Sequence, residues 1–290
     1  MSQPPELPYK LNELDQLAKE IVRRSVTIPG IQAKLSLHLA NRGKQAKRLT
    51  LVGLWGNYIL KPPIKKYPHI PEIEDLTMHL ASFFKIETVP HGLILLKSGE
   101  LSYITKRIDR DKTGFKLHME DMCQLTERLT EDKYKGSMEQ VAKIISKFAS
   151  NPVLYIIRFF EVSLFSFLTG NADMHLKNFS LIYDKQRFIH LSPAYDMLST
   201  RLLIPKKDDP EELALALNGK KSNLKLRDFK AFAENIGLTE KQFQNSMKRF
   251  QNGYESAIQF IDKSMLTHEN SNQFKKLLIE RAIRLEIGNS

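Results

Sequence analysis

A single cysteine, Cys123, stands among the 290 residues, which excludes an intrachain disulfide. Its setting in the helix-like pattern HMEDMCQLTERL suits a small core residue rather than redox chemistry. Long apolar runs are missing too. A membrane-spanning helix needs about 20 mostly apolar residues, and the richest stretch, 152 to 168, is broken by Arg158 and Glu161. The opening MSQPPELPYKLNELDQLAKE mixes prolines with acids and has neither the basic start nor the apolar stretch of a secretory signal. The expectation is a cytoplasmic protein with no membrane contact. Internal repeats, low-complexity linkers and the G-x-G-x-x-G phosphate loop of eukaryotic kinases are also absent.

What is present is an ordinary globular composition, 42% hydrophobic and 27% charged, long enough for one two-lobed domain or two adjoining ones. Lys and Arg total 44 against 33 Asp and Glu, a net charge of +11 that attracts polyanions: nucleotide phosphates, an acidic protein or nucleic acid. The basic pairs Arg23-Arg24, Lys65-Lys66, Lys206-Lys207 and Lys220-Lys221 are dispersed rather than gathered in one arm. Solvated surface accounts for any single pair equally well.

Hydrophobic period organises the chain. Residues 31 to 39 (IQAKLSLHL) alternate with period two, and LTLVGLW and NYILK follow as short strands. Residues 72 to 84 switch to a helical period, with Ile73, Leu76, Leu80 and Phe83 or Phe84 on one face, before the strand-like runs HGLILLK and LSYITKRI. Helical stripes then occupy 119–129, 138–149 and 152–169, a strand pair is expected at NFSLIYD and RFIHLSP, and helices return over 211–287. Gly237 is a stop there, and Thr239 a cap for the next segment. The expected class is α+β, with a β-rich lobe over 1–110, a helical lobe over 111–290 and a cleft between them.

Chemistry concentrates in GNADMHLKNFS, where Asn171, Asp173, His175, Lys177 and Asn178 crowd one loop between apolar elements. Phosphoryl transfer needs a carboxylate to orient and deprotonate a hydroxyl, and an amide oxygen a few residues on to hold magnesium; Asp173 and Asn178 fit those roles. Asp196 in SPAYDMLS, beyond an expected strand, supplies a second carboxylate for the same hard-oxygen site. Two readings compete: Asn171 and Asp173 capping a turn, or Asp173, His175 and His190 forming a hydrolase metal site, which no H-x-x-x-H or cysteine spacing supports. His175 is expected to hold the loop in shape by donating hydrogen bonds.

In the β-rich part, SVTIPGIQAKLSL joins a polar run, a Pro29-Gly30 turn and a strand. Its backbone N–H groups, together with Lys34, could cradle phosphates, although an ordinary tight turn explains one glycine as well. Lys61, closing the strand NYILK, is placed to reach nucleotide phosphates, with Glu74 on the next helix to hold it; a surface lysine at a strand end is the alternative.

Assembled in order, SVTIPGIQAKLSL, YILKP, PEIEDLTMHLA, ITKRIDR, HMEDMCQL, Lys133-Tyr134, TGNADMHLKNFSLI and LSPAYDML resemble the C-terminal kinase region of the HipA family from about residue 20 to about residue 260. The resemblance implies a fold related to protein and phosphoinositide kinases and an ATP- and magnesium-dependent serine/threonine protein kinase, the toxin of a toxin–antitoxin pair. By position it implies Asp173 as catalytic base, with His175 beside it, and Asn178 and Asp196 as magnesium ligands. Gly30, Gln32, Lys34 and Lys61, the last held by Glu74, would meet the ATP phosphates, and the backbone of Lys106 and Ile108 the adenine. Ser25 and Thr27 fall where relatives are autophosphorylated. Only some twenty residues precede the loop, which is similar to the short HipT-like form. That form implies a small HipS-like antitoxin, a HipB-like helix-turn-helix antitoxin giving indirect contact with DNA, and an aminoacyl-tRNA synthetase substrate, tryptophanyl among those of the short form. The rival is a catalytically weak nucleotide-binding module that organises a repressor complex on DNA.

Overall fold

The computed structural model describes residues 5–24, 34–40, 48–52, 56–111 and 113–288, and of residues 18–24 the backbone alone. Two compact units emerge, interleaved in sequence: 1–75 with 89–114, and 76–88 with 115–290. No described helix is long and apolar enough to cross a membrane.

The first unit begins with helix α1 (Leu11–Arg24) and builds a sheet from β1 (Leu35–Ala40), β2 (Arg48–Leu51), β3 (Tyr58–Lys61), β4 (His91–Leu95) and β5 (Leu101–Lys106). The five strands run in the order β2-β1-β3-β5-β4, each pair antiparallel. Period two in LSL sends Leu35 and Leu37 to one face, where they join Leu49, Leu60, Leu7, Leu14 and Leu96 in a core. Burying each such leucine contributes roughly 1.5–3 kcal/mol. The chain before α1 is tied to the sheet, Leu49 N–H donating to Glu6 O and Lys97 N–H to Tyr9 O.

Helix α2 (Ile70–Leu80) passes from the first unit into the second, where a 3-10 turn, Ala81–Phe84, continues it. The second unit then holds β6 (Met119–Asp121), α3 (Met122–Leu125), α4 (Met138–Phe148), α5 (Pro152–Leu168), β7 (Ser180–Tyr183), β8 (Ile189–Leu191), α6 (Leu226–Asn235), α7 (Glu240–Ile261) and α8 (His268–Arg284). Its sheet has the order β6-β7-β8.

Helix α5 is the axis of this unit. Asn151 caps it, Pro152 starts it, and Phe159, Phe160, Phe165 and Phe167 are all fully buried. Phe165 meets Phe84 at 5.7 Å, Phe159 meets Phe179 at 5.0 Å and Phe167 meets Phe229 at 5.2 Å. Glu161, buried in the same helix, accepts from Arg249 at 2.7 and 2.8 Å and from Ser246 at 2.9 Å, which ties α5 to α7. Gly253 of α7 passes so near the Phe83 carbonyl that no Cβ fits there.

Two expectations are corrected. The helical stripe over 119–129 is instead strand β6 and the single turn α3, because residues 119–121 pair with β7 and Asp121 caps α3 in a capping box with Gln124. The region 211–225 holds no helix: it is pinned by the bridges Ser137↔Ala216 and Leu217↔Lys220, and helix resumes at α6.

Candidate active site

The loop after α5 is shaped from its first residue. Gly170 sits at φ +67, and a Cβ there would come within 2.7 Å of Leu277 Cδ2 and 2.9 Å of Arg201 Cβ, so the sharp exit from the helix depends on glycine. Asn171, fully buried, accepts the Asp173 N–H at 3.1 Å, and the Ala172 N–H donates to Thr200 Oγ1 at 2.9 Å. The His175 N–H reaches Asp173 O at 2.8 Å and the Asn178 N–H reaches His175 O at 2.9 Å. Asn178 Nδ2 donates to Asp173 O at 2.9 Å. This uses one of the two amide N–H donors of Asn178.

Asp196 arrives on the turn beyond β8, in the left-handed region at φ 57, uncommon for a residue other than glycine. Its neighbour Tyr195 fixes that turn to the loop: Tyr195 Oη donates to Lys177 O at 3.0 Å and lies 2.6 Å from Ser180 Oγ. Burial pushes the Tyr195 phenol well above its ordinary pKa, so it remains a neutral donor. The Asp196 carboxylate is near enough for its charge to act on His175. Asp173, His175, Asn178 and Asp196 thus share one neighbourhood, and the oxygens of Asn178 and Asp196 are the hard donors that magnesium prefers.

His175 shapes the loop in another way than expected. Burial holds its imidazole below the ordinary value, against the opposing charge of Asp173, and its Nδ1 has no partner among the described residues. The loop is held through its backbone, while its ring packs edge-on against Tyr134 at 5.0 Å.

Tyr134 is the residue that sequence reasoning missed. Its Oη donates to Asp173 Oδ1 at 2.5 Å across 39 positions of chain. Lys133-Tyr134 is visible in the sequence only as a motif with no assigned work. Lys177, one of the residues crowded into this loop, is engaged with Asp121 at 2.9 Å.

In the first unit, Lys61 ends β3 with its Nζ 2.5 Å from Glu74 Oε1 and 5.3 Å from the Tyr103 ring centroid. His91 also stacks on that ring, at 5.8 Å, and pairs with Asp75 at 3.1 Å. The Lys106 N–H is taken by Pro90 O at 2.8 Å, and Ile108 follows in a turn where Asp109 is clamped between Arg107 and Arg110 at 2.7 and 2.8 Å. Lys34 is exposed immediately before β1, while Ser25, Thr27, Gly30 and Gln32 lie outside the described residues.

Comparison with known proteins places the chain among relatives. The family described as HipA-like C-terminal domain matches residues 26–258. A protein of Haemophilus influenzae named as a kinase is 30% identical over 262 residues, covering 81% of this chain and 74% of that protein. The serine/threonine-protein kinase toxin HipA of Shewanella oneidensis is 24% identical over 255 residues, covering 80% of this chain and 56% of its own length. The chain thus spans about half of some of its relatives and three quarters of another. Among solved structures, the Shewanella oneidensis HipA, in complex with HipB and operator DNA, aligns at a TM-score of 0.74 and 20% identity over 99% of this chain and 74% of that one. The Helicobacter pylori proinflammatory kinase CtkA aligns at 0.59 and 17% identity over 86% and 93%. The fold is therefore the two-lobed, kinase-like α+β fold, and the chain belongs to the family of HipA-like C-terminal domains.

Proposed function

We propose that this chain is an ATP- and magnesium-dependent serine/threonine protein kinase. One observation carries the reading: Tyr195, next to Asp196, donates to the Lys177 carbonyl of the loop bearing Asp173 and Asn178, an arrangement that suits a proton acceptor and two hard-oxygen ligands in one neighbourhood. Asp173 orients the acceptor hydroxyl and takes its proton as that oxygen attacks the γ-phosphorus and ADP departs. Asn178 and Asp196 would hold magnesium, whose contribution when bound is to neutralise charge on the phosphate oxygens. Lys61, paired with Glu74, steadies the nucleotide phosphates.

Gly30, Gln32 and Lys34 form the phosphate loop in this reading. The adenine is met by backbone carbonyl groups around Lys106 and Ile108, since the Lys106 N–H is already committed to Pro90. Ser25 and Thr27 are the autophosphorylation sites; about −1.5 to −2 units of charge placed beside that loop would disfavour ATP. The family relationship supports a toxin restrained by a HipB-like DNA-binding antitoxin and, for a short HipT-like form, a HipS-like protein, acting on an aminoacyl-tRNA synthetase in the cytoplasm. The net charge of +11 suits an acidic protein surface as substrate.

Expression in bacteria tests the biological part: growth arrest by the wild type, relieved by Asp173→Asn, supports it, and equal arrest by both contradicts it.

A further inference from the structure

The Tyr134 hydroxyl stands where the hydroxyl of a protein substrate would be expected. It donates to Asp173 Oδ1 at 2.5 Å, the reach of a nucleophile on its general base. The catalytic loop itself holds the tyrosine in place: the Leu176 N–H donates to Lys133 O at 3.1 Å, the ring lies edge-on to His175 at 5.0 Å, and Lys133 Nζ sits 4.9 Å from the ring centroid. Burial and then the hydrogen bond to Asp173 raise the phenol's pKa far above its ordinary value, so it stays an O–H donor. Yet the site is open to solvent, with Tyr134 41% exposed and the Asp173 side chain 43% exposed. A carboxylate so exposed, next to bound ATP, would take up water.

We propose that Tyr134 guards the base against water, its hydroxyl filling the acceptor position on Asp173 until a substrate hydroxyl displaces it. This rests on the kinase reading. The reaction prevented is hydrolysis: a water oxygen bonds to the γ-phosphorus, the bond to the ADP oxygen breaks, and the water proton passes to Asp173 and then to solvent. A phenol is poorly suited to replace water as nucleophile here, because its ring is pinned to the loop that carries the base. Removal of the hydroxyl alone, in Tyr134→Phe, leaves the ring against His175 and opens a space one water can enter.

The test is phosphate release from magnesium-ATP with no acceptor protein present, measured for the wild type, Tyr134→Phe, Tyr134→His and Asp173→Asn/Tyr134→Phe, with thermal melts as a control for folding. Hydrolysis by Tyr134→Phe is expected to rise about tenfold over the wild type, a small part of what a general base can contribute. The double variant loses the increase, and Tyr134→His, whose shorter imidazole cannot reach Asp173 as the phenol does, shows the same rise as Tyr134→Phe. Hydrolysis by Tyr134→Phe that is unchanged or reduced would overturn the proposal, as would phosphate found on Tyr134 itself by mass spectrometry. If the wild type neither turns over ATP nor labels any protein, the kinase reading has failed and the proposal falls with it, a pattern distinct from the others.

Discussion

Lys61 Nζ lies 2.5 Å from Glu74 Oε1, with the two side chains only 5% and 2% exposed. A buried ion pair of this kind is costly to break from one side, about 3–5 kcal/mol when a partner is removed, because the remaining charge stays buried with this contact gone. Glu74→Gln and Lys61→Met should each lower stability by that order in denaturant unfolding. The double replacement Lys61→Met/Glu74→Leu should recover much of the loss and still fail to bind magnesium-ATP. Recovery of nucleotide binding in the double variant would remove Lys61 from the site.

Tyr195 holds the Asp196 turn through one phenolic oxygen. Tyr195→Phe keeps the buried ring and leaves the Lys177 carbonyl and Ser180 hydroxyl without that partner, a loss of about 1–3 kcal/mol. The melting temperature should fall, and phosphate transfer should fall further than stability alone explains, since the turn aiming Asp196 is loosened. Unchanged transfer at a temperature where the variant is folded would show that Tyr195 packs and does nothing more.

Gly170→Ala is expected to cost more than about 1 kcal/mol, the ordinary effect of alanine at a positive φ, because the new methyl also strikes Leu277 and Arg201. Pairing it with Leu277→Ala should relieve the contact with Leu277 but leave the contact with Arg201 and the backbone strain. Calorimetry on the three variants separates the two components.

Glu212 gives the pH dependence its sign. Burial would raise its pKa, but two hydrogen bonds from Arg284 at 2.7 and 2.8 Å and the charge of Arg281 outweigh this and hold the carboxyl below 4.5. A depressed carboxylate contributes stability that is present above its unfolded value and lost as pH falls through its folded one. Unfolding free energy should therefore decline below about pH 4.5 in the wild type, and this part of the decline should be absent in Glu212→Gln, which starts lower at neutral pH. Parallel pH profiles for the two proteins would contradict the assignment.

Much of this architecture is local and therefore legible in the sequence. Period two in LSL marks β1, the short apolar run YIL marks β3, the apolar run after Asn151-Pro152 marks α5, and Thr239 caps α7 as the sequence suggests. Lys61 and Glu74 lie one strand end and one helix apart, so their pairing follows from neighbouring elements. What was hidden is non-local. Residues 119–121 look helical until β7, some sixty residues on, supplies a partner, and 211–225 is irregular because Glu212 accepts the Leu224 N–H and Arg284. Tyr134 reaches Asp173 only after the loop at 130–136 folds onto the catalytic loop, so no spacing rule could have joined them.

The central claim is phosphoryl transfer by Asp173, and its most direct test is incubation of purified protein with γ-phosphate-labelled ATP and magnesium, alone and with cell extract, beside Asp173→Asn. The account predicts label on the protein itself and on a discrete extract protein with the wild type, and none with the variant. Equal labelling by both would contradict the role given to Asp173. Absence of label with both, from protein shown by mass spectrometry to be unphosphorylated at Ser25 and Thr27, would contradict the kinase reading as a whole.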